Sequence, residues 1–146
     1  MRLLRVGKGT WDVLVVRDER DRCQVLDFLK QLGRAGDRRR KHAERMLAIL
    51  GDYIPYHGPP KAREMTKDLG DGIREFRSVA GEFRVYWFYD RDRVIVCTHA
   101  FEKDEQGDRP VEKRRAERIR LEYQRARETG ELEVSGPEEE GPYEGK

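Results

Sequence analysis

The stretch that most limits what this chain can become runs from Lys67 to Phe101 and reads KDLGDGIREFRSVAGEFRVYWFYDRDRVIVCTHAF. Three runs within it, Ile73 to Val79, Phe83 to Tyr89 and Arg93 to Phe101, are rich in β-branched and aromatic residues. Ala80-Gly81-Glu82 and Asp90-Arg91-Asp92 break them at turn-like positions, so the three runs read as an antiparallel meander. Side chains alternate across a strand, which places Phe83, Val85, Trp87 and Tyr89 on one face and Arg84, Tyr86 and Phe88 on the other. The first face is expected to be core, the second open to solvent.

The rest of the chain arranges itself around this block. Residues 1–10 end in Gly7-Lys8-Gly9-Thr10 and are expected to be a frayed leader. Trp11 to Val16 alternates and predicts a first strand able to join the sheet. Asp18 is a candidate helix cap before Val25, Phe28, Leu29 and Leu32, and Gly33 supplies a stop. Asp37 is a candidate cap for a second helix with Ala43, Met46, Leu47 and Leu50, ended by Gly51. This helical hairpin needs a cover, and the apolar sheet face is the available one. Residues 52–62, with Pro55, Pro59 and Pro60, predict a loop carrying Tyr56 and His57. Pro110 is placed to open a last helix whose apolar stripe, Ala116, Ile119, Tyr123 and Ala126, is narrow. It is expected to dock on the sheet edge or on a partner. The reading is α+β: a leader over 1–10, one folded domain over 11–128, and a disordered acidic tail over 129–146.

Charge divides along the same line. The chain carries +2 overall, but residues 129–146 hold six Glu against one Lys, which leaves +7 on the remainder. A basic body points to a polyanionic partner, although an Arg-rich, Asn-free composition produces the same balance without function. The run Arg38-Arg39-Arg40-Lys41 reads as a solvated helix face, with a secondary phosphate contact to RNA as the alternative, and His42 beside it as a surface residue. No apolar run reaches membrane-spanning length, and the first residues are too short and too interrupted for a secretory signal, so a cytoplasmic protein is expected. Cys23 and Cys97 lack companions at ligand spacing, which argues against zinc and for reduced thiols.

Lys67 and Leu69, Gly72-Ile73-Arg74-Glu75-Phe76-Arg77, Phe83-Arg84-Val85, then His99-Ala100-Phe101 with Lys103 and Pro110 together resemble the phage-derived Gp49-like branch of the RelE/HigB toxins. The resemblance implies a RelE-like fold: N-terminal strand, helical hairpin, three-stranded antiparallel meander and C-terminal helix. It implies the toxin half of a type II toxin-antitoxin pair, inhibiting translation by cutting mRNA on the ribosome without metal or cofactor. It also implies a small helix-turn-helix antitoxin, HigA-like, as partner. A ParE-like gyrase inhibitor and an inactive phage-derived module that binds RNA or protein are the alternatives.

Cleavage of this type has a 2′-hydroxyl attack the adjacent phosphate, so the protein must stabilise a charged phosphorane, accept a proton and hold splayed bases. In the resemblance Arg84 matches the transition-state arginine, Arg77 its neighbour on the preceding strand, and Lys103 the basic residue after the last strand. Alternation puts Glu75 beside them. Glu75 and His99 are the candidate bases, and Lys67, Arg74, Tyr86, Tyr56 and His57 the candidate RNA contacts. Glu75 beside Arg77 reads equally as a structural ion pair, and His99 as an ordinary strand histidine. Asp104 and Glu105 stand where relatives carry a second basic residue, which weakens phosphate binding.

Overall fold

The computed structural model describes residues 1–34, 36, 38–78, 82–103 and 110–136. The three runs form β4 (Ile73–Arg77), β5 (Phe83–Asp90) and β6 (Val94–Glu102), paired antiparallel with Phe76 opposite Val85 and Phe88 opposite Val96. The meander is the centre of something larger. β3 (Thr66–Gly70) extends it on one side, and β2 (Asp12–Val16), β1 (Arg2–Lys8) and β7 (Glu133–Ser135) extend it on the other. The sheet order is β3-β4-β5-β6-β2-β1-β7, and it is mixed, because β2 runs parallel to β6 and β7 parallel to β1.

Both ends of the chain therefore depart from expectation. The residues expected to be a leader form β1, with Leu3 fully buried and Leu4 and Val6 packed against the core on the helical side. Gly7 is no sign of fraying and marks a close approach: a Cβ there would lie 2.7 Å from the Leu50 carbonyl oxygen and from Pro55 Cγ. At the other end, residues 133–135 of the expected disordered tail add to β1 as a short parallel strand. Residues 137–146 lie outside the described residues.

The hairpin is made of α1 (Gln24–Leu32) and α2 (Arg38–Ala48). Asp18 caps no helix. Its carboxylate accepts the amide protons of Arg20 and Arg22 and closes a turn, while Cys23 precedes α1 without a side-chain cap. The expected cap Asp37 lies outside the described residues. Gly51 does not end the second helix either. The helical path continues through a π-helical turn (Ile49–Tyr53) into α3 (Ile54–His57), so the first half of the expected loop is wound. Pro55 has no amide proton to give, and the wider turn, in which the Ile54 amide bonds the Ile49 carbonyl, accommodates it. Gly58, at φ 77°, stops the helix.

Two apolar layers flank the sheet. Val13, Val15, Phe76, Val85, Trp87 and Cys97 meet Val25, Leu29, Met46 and Leu50 of the helical side. On the opposite face, expected to be open, Ile73, Tyr86, Phe88 and Val96 are covered by α4 (Pro110–Glu128) through Ala116 and Tyr123. The narrow stripe suffices because small Ala116 lets the helix approach and the sheet supplies the aromatics. Polar clamps fix the helix in place: Tyr123 donates to Asp90 at 2.5 Å, Arg127 pairs with the same carboxylate, and Lys113 pairs with Asp71 at 2.7 Å. Among the described residues no helix is long and apolar enough to cross a membrane.

Candidate functional site

Register decides which candidates meet. Lys67 stands opposite Glu75, Glu75 opposite Tyr86, and Tyr86 opposite His99, so these four share a row on one sheet face. One rung along, Arg77 stands opposite Arg84 and Arg84 opposite Phe101. The two rows bring a carboxylate between two guanidinium groups. Glu75 Oε2 accepts from Arg77 Nε at 2.7 Å, and Oε1 lies 3.3 Å from Arg84 Nε. Glu75 is fully buried and Arg84 only 3% exposed. A carboxylate removed from water needs cations around it, and here they hold it in a fixed position. The expectation of an open sheet face is thus corrected: the charges on it are packed and paired.

At the head of the meander the chain is closed by two contacts. Ser78 exchanges hydrogen bonds with Phe83, and the Lys103 amide donates to the Glu82 carbonyl at 3.0 Å. Beside this closure lies a cleft of about 430 Å³ to which Arg77, Arg84 and Lys103 all contribute, facing His42 and Arg45 of α2. Met46, Ile49 and Met65 give it an apolar floor. Five basic side chains around one cleft form a site suited to an anion, with flat forks able to pair two phosphate oxygens. Asp104 and Glu105, whose charge bears on this site, lie outside the described residues.

Sequence reasoning missed His42 and Arg45. They sit three residues apart on α2 and so share a helix face. That spacing is readable in the sequence, but the meeting of this face with the meander head is not. Glu82, at the turn before β5, accepts from His42 Nδ1 at 2.5 Å and pairs with Arg38 at 3.4 Å. The run Arg38-Arg39-Arg40-Lys41 is thereby partly engaged: Arg39 also pairs with Glu102 at 3.5 Å.

The remaining candidates lie elsewhere. His99 is fully buried under α4, with Nε2 3.0 Å from Glu112 and Nδ1 3.0 Å from the Thr98 hydroxyl. Burial, helped by the nearby Arg115 and Arg118, pulls its pKa down to about 3. Its ring stacks on Phe101 and meets the edge of Tyr86. Tyr86 is itself 1% exposed, so both rings serve the core beneath α4. Arg74 points to the other face, its guanidinium over Trp87 and Tyr89 and paired with Asp68. Tyr56 and His57 belong to α3, whose Pro55 carbonyl accepts from the Trp11 amide, and the Trp11 ring touches Tyr89. Tyr89 is five residues along β5 from Arg84, roughly 17 Å at strand rise, so those two candidates sit at the opposite end of the meander. Lys67 is exposed on β3, in the row of Glu75.

Burial also pushes the Cys97 thiol up to about 12, and Cys23 is likewise a buried free thiol. Neither contributes to the cleft.

Comparison with curated proteins gives no match. A family match spans residues 27–122, from α1 through most of α4, and so includes every residue of the cleft. The family is described as phage-derived protein Gp49-like (DUF891) and is associated with the toxins of toxin-antitoxin pairs. With about two thirds of its length matched and the strand block wholly inside the match, the chain belongs to the phage-derived Gp49-like family.

Proposed function

We propose that this chain is the toxin of a type II toxin-antitoxin pair, of the RelE/HigB type, and that it cleaves mRNA on the ribosome without a metal or cofactor. The observation that supports this reading most directly is the cleft in which Arg77, Arg84 and Lys103 converge. Arg84 and Arg77 stabilise the negative charge that builds on phosphorus as the 2′-oxygen attacks, and Lys103 binds the flanking phosphate. Glu75 is a positioning residue that holds the two arginines in one orientation. Lys67, exposed at the sheet edge, extends the contact along the RNA strand. The antitoxin in this reading is a helix-turn-helix protein, and the action is in the cytoplasm.

A second reading, binding of RNA or protein without cleavage, is favoured by the burial of Arg84 and by the fixed pairing of Glu75. Expression of the gene in a bacterium, with transcript 5′ ends mapped genome-wide, decides between the two. The nuclease reading expects arrested growth and new 5′ ends inside translated codons, both lost in Arg84→Ala. Arrest without new ends sinks the nuclease and leaves a binder such as a gyrase inhibitor; no arrest on full expression sinks the toxin.

A further inference from the structure

Sequence pattern makes His42 a surface histidine on a charged helix, yet in the fold it is the imidazole of the cleft. Its side chain is 16% exposed, and it lines the cleft with Arg84 and Lys103. Nδ1 lies 2.5 Å from Glu82 Oε1, and Nε2 has no hydrogen-bond partner among the described residues. A carboxylate at Nδ1 fixes the tautomer, with Nδ1 carrying the proton and Nε2 holding the lone pair. The same carboxylate lies against the ring that becomes positive when Nε2 takes a second proton. Glu82 is in turn held by the Lys103 amide on its carbonyl and by Arg38 at its other carboxylate oxygen.

We infer that His42, oriented by Glu82, is the general base of the RNA cleavage proposed above, on which this inference rests. The 2′-hydroxyl gives its proton to His42 Nε2 as the 2′-oxygen bonds to phosphorus. The bond from phosphorus to the 5′-oxygen breaks with its electron pair on that oxygen, which is protonated by water. The products are a 2′,3′-cyclic phosphate and a 5′-hydroxyl end, and His42 returns its proton to solvent. The two candidate bases on the sheet are poorly placed to take that proton, because Glu75 is held between two arginines and both nitrogens of His99 are engaged beneath α4.

Among the described residues, the charged groups around His42 are Glu82 with Arg38 behind it, Arg45 one turn along α2, and Arg77, Arg84, Lys103 and Glu64 around the cleft. The deciding experiment is single-turnover cleavage of mRNA on programmed ribosomes by the full chain and by His42→Gln, which retains a donor for Glu82. The expected loss is at least about 100-fold, with ribosome binding unchanged. The parent and His42→Gln should differ in the pH dependence of the rate, because the variant has no imidazole in the cleft to accept the proton. Glu82→Gln should reduce the rate by a smaller factor and alter its pH profile with ribosome binding unchanged, an effect a purely structural contact would not produce. Equal rates and equal pH profiles for parent and His42→Gln overturn the assignment while leaving the nuclease intact. A parent that binds ribosomes but cuts no RNA overturns both.

Discussion

A histidine buried neutral makes the fold sensitive to acid. His99 has a folded pKa of about 3, whereas the unfolded chain takes up its proton around pH 6.5. Between those values the unfolded state binds more protons, so the stability present above pH 6.5 drains away as pH falls toward 3. We predict that urea unfolding of the parent loses more free energy between about pH 7 and about pH 4.5 than unfolding of His99→Gln does; parallel losses would place the acid sensitivity elsewhere. The same residue shows how far sequence pattern reaches. A histidine on a strand reads equally as a base or as a structural residue, and only the contacts with Thr98, Glu112 and Phe101 give the second reading its weight.

At the scale of elements, β1 and the π-helical turn depend on one another. Gly7 lets the β1 backbone lie against Leu50 and Pro55, and Gly9 approaches Pro55 in the same way, a Cβ there falling 2.6 Å from its carbonyl oxygen. Gly7→Ala should cost about 1–3 kcal/mol, because the added methyl meets the Leu50 carbonyl and the rigid Pro55 ring rather than a movable side chain. A chemical denaturation midpoint unchanged from the parent would show that β1 can shift without loss. The meander itself is legible in the sequence because alternation and turn residues are local signals. The partners of β3, β1 and β7 are not, since Leu3, Leu4 and Val6 sit among Arg2, Arg5 and Lys8 and gain their apolar contacts from residues far along the chain.

For the whole molecule, residues 1–8 and 131–135 meet at one edge of the sheet. The first amine donates to the Glu131 carbonyl at 2.9 Å, and β7 covers the edge of β1. Truncation after Glu128 should therefore lower Tm, whereas truncation after Gly136 spares β7, removes four Glu and should raise RNA affinity at low salt. Equal Tm for the two truncations would count against a structural role for β7. The sequence by itself determined the α+β class, the three central strands, the helical hairpin, the final helix and the grouping of Arg77 with Arg84, because each rests on periodicity or on residues a few positions apart. Only the tertiary structure decided that α4 seals the sheet face, burying His99 and Tyr86, and that the head of the meander meets α2. Neither pattern nor propensity encodes which face of a helix lands on which end of a sheet, so the nearness of His42 to Glu82, forty residues apart, waits on packing.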